Sequence, residues 1–180
     1  MLLFRKRVRG ICMKKYFFVL LSILTAISIA GCSETFDEEG FGQVQKYTNE
    51  IIPEVDKAIH NSDSWLNNKT DENLSMMVES ANRINEINND LWKFSTNDEY
   101  NREEIESWTI KLTSQNDEWI VEGKDLYPLL TATEDDSDYL AHVILKIEKE
   151  ASESNIEELG NVMNDAKNSI KKLRKIMTNK

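Results

Sequence analysis

Few side chains in this sequence could do acid–base, nucleophilic or metal chemistry, and their spacing excludes most of it. His60 and His142 are the two histidines of the 180 residues. Neither has a carboxylate three residues before it, so the Glu-x-x-His pairs of di-iron bundles and the His-Glu-x-x-His pattern of zinc proteases are missing. Each histidine is expected on a helix surface or edge. Glu134, Asp135, Asp136 and Asp138 crowd one short segment, and hard cations take several such oxygens. A calcium loop, however, also needs a specific Asp/Asn spacing, a central glycine and a terminal glutamate, a pattern this segment lacks. It reads as a solvated acidic loop over Thr133–Asp138. Neither the Gly-x-Ser-x-Gly elbow nor a phosphate-cradling glycine loop occurs. The expectation is therefore no catalytic residue, no metal ligand and no cofactor.

Four tryptophans, Trp65, Trp92, Trp108 and Trp119, are many for a small domain. Trp108 and Trp119 lie eleven residues apart, about three helical turns, so both are expected to point inward from one helical face, with Trp92 outside its stripe. Core packing is the plain reading, and the alternative is an aromatic groove for an apolar ligand or a partner helix.

The positions of the charges are more telling than their number. Of 22 Lys+Arg in the chain, six fall in the first 31 residues, which carry no acid; the remaining 16 face 32 Asp+Glu, a net of about −16. Such a surface argues against nucleic acid as a partner. Within it, Lys167, Lys171, Lys172, Arg174, Lys175 and Lys180 fill the last 14 residues without an acid among them. Cations there complement a helix C-terminus, at about 0.3–1 kcal/mol each. The alternative is a surface contact through Lys171, Lys172, Arg174 and Lys175 with anionic lipid or wall polymer, at about 1 kcal/mol per residue.

The basic start of the chain belongs to a recognisable leader. Met13 to Cys32 reads MKKYFFVLLSILTAISIAGC: a charged Lys14-Lys15 pair, an apolar run from Tyr16 to Ala30, and a small-residue stop. The run is short for a spanning helix, which needs about 20 apolar residues. Ile29-Ala30-Gly31-Cys32 resembles the lipobox of bacterial lipoproteins. The resemblance implies that residues 1–31 are removed as a signal peptide and that Cys32 is diacylated, palmitate being a typical chain. It places the protein in the cell membrane, lipid-anchored on its extracytoplasmic face. Residues 1–12 extend the basic flank upstream, and Met13 is an alternative start. Beyond Cys32 there is no cysteine, which leaves no intrachain disulfide or thiol redox chemistry.

The chain beyond Cys32 divides into a tether, 32–42, polar, acidic and punctuated by glycine, and a domain, 43–180, in which apolar residues recur at spacings of three and four. A first helix is expected over Gln43–Leu66, with Pro53 kinking or splitting it near Ile51-Ile52. A second runs from Asp71 to Phe94, capped by Thr70 or Asp71. A third starts at Glu99, carries Ile105, Trp108, Leu112 and Trp119, and ends at Gly123 or before Pro128. The last region, 137–178, is one helix or two; capping boxes at Ser154 and Asn155 favour a break there. The expected fold is all-α, an antiparallel up-and-down bundle of four or five helices. The functional expectation is a non-enzymatic interaction module at the cell envelope, with a protein or the envelope surface as partner. The alternative is a small-ligand or cation-binding bundle.

Overall fold

The structure, a computed structural model, describes residues 38–91, 102–113 and 117–178. The leader, residues 33–37 of the tether, Trp92 and Phe94 lie outside the described residues. Cys32–Lys180 forms one compact unit, whose described residues build five helices and a two-stranded sheet: α1 (Glu38–Asn67), α2 (Asp71–Leu91), α3 (Arg102–Ser107), β1 (Thr109–Thr113), β2 (Glu118–Glu122), α4 (Gly123–Lys149) and α5 (Glu153–Thr178).

The all-α bundle holds. Its frame is two antiparallel helix pairs, α1 with α2 and α4 with α5, closed by packing of α2 on α4 and of α1 on α5. The antiparallel sense is visible in the cross-links. Tyr47 and Asn61 of α1 meet Asn88 and Ser80 of α2, in reversed order, and Asp136 and Lys146 of α4 meet Ser169 and Glu158 of α5 likewise. The core between them is aliphatic, with Ile51, Val55, Met77, Ile84, Leu140, Ile144, Leu159 and Leu173 all fully buried. Each such side chain contributes about 1.5–3 kcal/mol by leaving water.

Helix ends follow local chemistry. The Thr70 hydroxyl accepts from the Asn73 amide, capping α2. Between α4 and α5 there is a break at Glu150–Ser152, just before the expected Ser154-Asn155 boxes. There the Ser152 hydroxyl accepts from the Asn155 amide, and the Asn155 side chain donates to the Glu150 carbonyl. Region 137–178 is therefore two helices.

Four expectations are corrected. Helix α1 begins at Glu38, inside the expected tether, because Phe41 extends the Val44, Tyr47, Ile51 stripe one turn upstream and is buried. It also runs unsplit through Pro53, whose two neighbours along the stripe, Ile51 and Val55, are anchored in the core. The expected third helix is instead α3 followed by a β-hairpin. Thr-Ile-Lys-Leu-Thr alternates polar with apolar, Glu-Trp-Ile-Val-Glu is a short apolar run between two acids, and both contain β-branched residues, whereas the spacing of Ile105, Trp108 and Leu112 also fits a helix. Ile110 pairs with Val121 and Leu112 with Trp119 across the strands. The fourth correction is the acidic loop: Thr133–Asp138 is helical, the middle of α4.

One glycine is required by close approach. A Cβ at Gly123 would lie 1.6 Å from the Ile105 carbonyl oxygen. Gly123 donates its amide to Trp108 (2.7 Å), which in turn donates to Ile105 (3.1 Å). This joint seats α3 and the hairpin on the start of α4.

Candidate functional site

Helix α5 presents the one basic region singled out in the sequence. Leu159, Val162, Met163, Ala166, Ile170 and Leu173 bury one stripe of it, which fixes the opposite stripe as the outward one. Lys167, Lys171, Lys172, Arg174 and Lys175 are all exposed there. Arg174 reaches across to α1 and pairs with Asp56 at 2.5 Å. Lys167, Lys171, Lys172 and Lys175 make no ion pair among the described residues. Lys171 and Lys175 thus share one exposed line, Lys172 flanks it, and Arg174, on the other flank of the helix, is committed to Asp56 of α1.

The acidic segment is used differently from either sequence reading. In α4, Thr133 and Ser137 occupy core positions and are buried, while Glu134, Asp135, Asp136 and Asp138 point elsewhere around the helix. Asn88 of α2 binds this segment from inside the bundle. It accepts from the Tyr47 hydroxyl (3.1 Å) and donates to Ser137 Oγ (2.9 Å) and Asp138 Oδ1 (2.6 Å). Ser137 in turn donates to the Glu134 carbonyl, and Ser169 of α5 donates to Asp136. A polar seam tying α1, α2, α4 and α5 therefore crosses a largely apolar core. Burial, aided by the charges of Glu134 and Asp138, raises the Tyr47 hydroxyl far above its ordinary range, so it stays a neutral donor. Partial burial, with Asp138 and Asp135 beside it, lifts the Glu134 carboxyl to about 7. Among the described residues no group of three or more His, Cys, Asp or Glu is placed to hold a metal ion.

Three of the tryptophans are described, and packing occupies them. Trp65 and Trp108 are buried and Trp119 half-buried. Trp119 donates its indole N–H to the Ile176 carbonyl at 3.0 Å, fastening the hairpin to the last turns of α5. Both Trp108 and Trp119 face the core as expected, although from the hairpin region rather than from a helix. The Lys69 ammonium sits 5.5 Å over the Trp65 ring. His60 and His142 are exposed. A shallow groove of about 420 Å³ between α1 and α2 is lined by Glu54, Lys57, Glu79, Asn82, Arg83 and Glu86. Its polar lining is the opposite of an apolar ligand site.

The seam was missed in the sequence, although a signal existed: Asn88 falls four residues after Ile84, in phase with the core stripe. A polar residue in that phase is either a fault in the pattern or a buried hydrogen-bonding group, and here it is the second. Comparison with known protein families, with characterised proteins and with solved structures finds no match. No helix of the described residues is long and apolar enough to cross a membrane.

Proposed function

We propose that this protein is a membrane-anchored extracytoplasmic lipoprotein whose helical bundle works as a non-enzymatic interaction module at the cell envelope. The observation that carries the reading is the leader itself, a charged start, an apolar run and the Ile29-Ala30-Gly31-Cys32 stop. Two acyl chains on Cys32 give stable anchorage where a single chain is marginal, since each buried methylene contributes about 0.8 kcal/mol. Two features of the bundle support an interaction role. Tyr47, Asn88 and Ser137 are tied into a hydrogen-bonded seam rather than converging on an open cleft, and α5 displays a line of lysines outward.

Intact-mass spectrometry of protein from the membrane fraction tests the reading. Wild-type chain starting at Cys32 with a diacylglyceryl group, and loss of that mass in Cys32→Ala, is the expected result. An unmodified mass in the wild type would overturn it.

A further inference from the structure

We infer that the outward face of α5 docks the bundle side-on against the anionic headgroups of the membrane that holds Cys32. The inference rests on the lipoprotein reading and adds to it a surface, an orientation and a lipid chemistry.

Three observations point the same way. First, Lys167, Lys171 and Lys175 follow one another at four-residue steps, so they form a single exposed line along α5, with Lys172 beside it. Like charges at that spacing repel and weaken a helix, so contacts within the line do not account for it. The helix dipole does not account for it either, because that effect fades within the last turn and Lys167 lies about three turns before Thr178. Second, many exposed cations elsewhere in the bundle are paired, Lys57 with Glu54, Arg83 with Glu50 and Glu86, Lys111 with Glu118, and Lys146 with Glu158, and the exposed lysines without an ion pair among the described residues, Lys46, Lys69, Lys124 and Lys149, are scattered singly along the sequence. The acids that flank α5 on its neighbours are also engaged, Asp56 by Arg174 and Asp136 by Ser169. From Gly160 to Thr178 the only acid on α5 is Asp165, against five Lys and Arg, so these turns carry a net positive charge in a strongly acidic chain. Charge complementarity then selects an anionic surface as the occupant.

Third, the anchor permits this pose. Helix α1 packs directly on α5, and packed helices lie about 8–10 Å apart. With α5 on the headgroups, α1 runs just above it. The six residues from Cys32 to Asp37 span at most about 20 Å, enough to join the start of α1 to the bilayer. Helix α2, whose Asp71, Glu72, Glu79 and Glu86 are exposed, packs on α1 and α4 and so takes the side away from the membrane.

Amine labelling of the lipidated protein, reconstituted in phosphatidylcholine vesicles with or without phosphatidylglycerol, tests the inference. Relative to Lys57, labelling of Lys167, Lys171, Lys172 and Lys175 should slow about fivefold when phosphatidylglycerol is present, and high salt should restore it. The triple variant Lys167→Gln, Lys171→Gln, Lys175→Gln should leave Lys172 equally labelled in both vesicles. Equal labelling of the wild type in both vesicles would overturn the docking. So would protection that appears only when anionic wall polymer is added to phosphatidylcholine vesicles. Intact mass of the same preparation separates the two proposals: a lipid on Cys32 with unprotected lysines leaves the anchor standing without the docking. An unlipidated chain removes the anchor, and its own co-sedimentation then decides the face, sustained by binding to phosphatidylglycerol vesicles and overturned by none.

Discussion

Helices α2 and α5 are both amphipathic, both pack on α4, and differ in what they do with polar groups. α2 uses part of its polar chemistry within the protein, since Asn88 and Ser80 hydrogen-bond inside the bundle and its one cation, Arg83, bridges Glu50 and Glu86, while Asp71 and Glu72 stay exposed. α5 turns most of its charge outward, with four lysines that find no ion pair among the described residues. The difference separates polar groups that specify the fold from polar groups that the fold does not need. Groups of the second kind, held at a cost to the helix, are the ones to examine for function.

Substitutions should break this comparison unevenly. The largest effect is expected below both helices, at Gly123→Ala. The new Cβ meets the Ile105 backbone oxygen, which cannot rotate away, so α3 and the hairpin must lift from α4. A loss of about 3 kcal/mol or more, read by chemical denaturation, would act on the support that α2 and α5 share. Retained stability would mean that the joint relaxes freely.

Next in size is Asn88→Ala, which strands Tyr47, Ser137 and Asp138 without their common partner. It should cost about 2–3 kcal/mol, and combining it with Tyr47→Phe should cost less than the sum. Additivity would show that the seam is not a coupled network.

A smaller effect should follow pH. The Glu134 carboxyl is held near 7 in the folded chain and titrates near 4.5 when unfolded. Between those values the folded state binds the extra proton, so this group's contribution is fully present below about 4.5 and is lost as pH rises through about 7. Glu134 is half-buried, so solvent screening leaves a change on the order of 1 kcal/mol. Glu134→Gln should remove that slope, and an unchanged pH profile would count against the burial argument.

The smallest effects carry opposite signs and sharpen the comparison most. Arg83→Ala on α2 should lower stability by about 0.5 kcal/mol, the ordinary value of an exposed pair. Lys171→Gln on α5 should leave stability unchanged or raise it by up to about 0.5 kcal/mol, through relief from Lys167 and Lys175. Loss of stability in Lys171→Gln would give that lysine a structural role and remove the contrast.

Much of the bundle could be read from the sequence because aliphatic stripes dominate α1, α2 and α5. The misses have a common physical origin. In α4 the stripe passes through Thr133 and Ser137, polar residues in core positions, and in α2 it passes through Asn88, so hydropathy alone breaks the pattern, which at Ser137 and Asn88 hydrogen bonds continue. The hairpin was hidden because only β1 alternates, β2 is a continuous apolar run of three, and Trp108, Leu112 and Trp119 also fit a helical spacing. Tertiary partners decided between them: Trp119 is held by the Ile176 carbonyl and Gly123 by Trp108. The basic face was legible as a cluster in the sequence. That Arg174 closes the fold through Asp56 while the lysines stay outward depends on how α1 and α5 meet, and no local pattern encodes it.

The most direct test of this account is the thickness of the protein layer on a bilayer, measured by neutron reflectometry with the lipidated chain. Docked through α5, the bundle lies flat and the layer is about two helices deep, about 20–25 Å. Standing on its tether, it reaches the length of the 30-residue α1, about 45 Å. A thin layer on phosphatidylglycerol-containing bilayers that thickens in high salt is the predicted result; a thick layer independent of lipid charge and salt would contradict it.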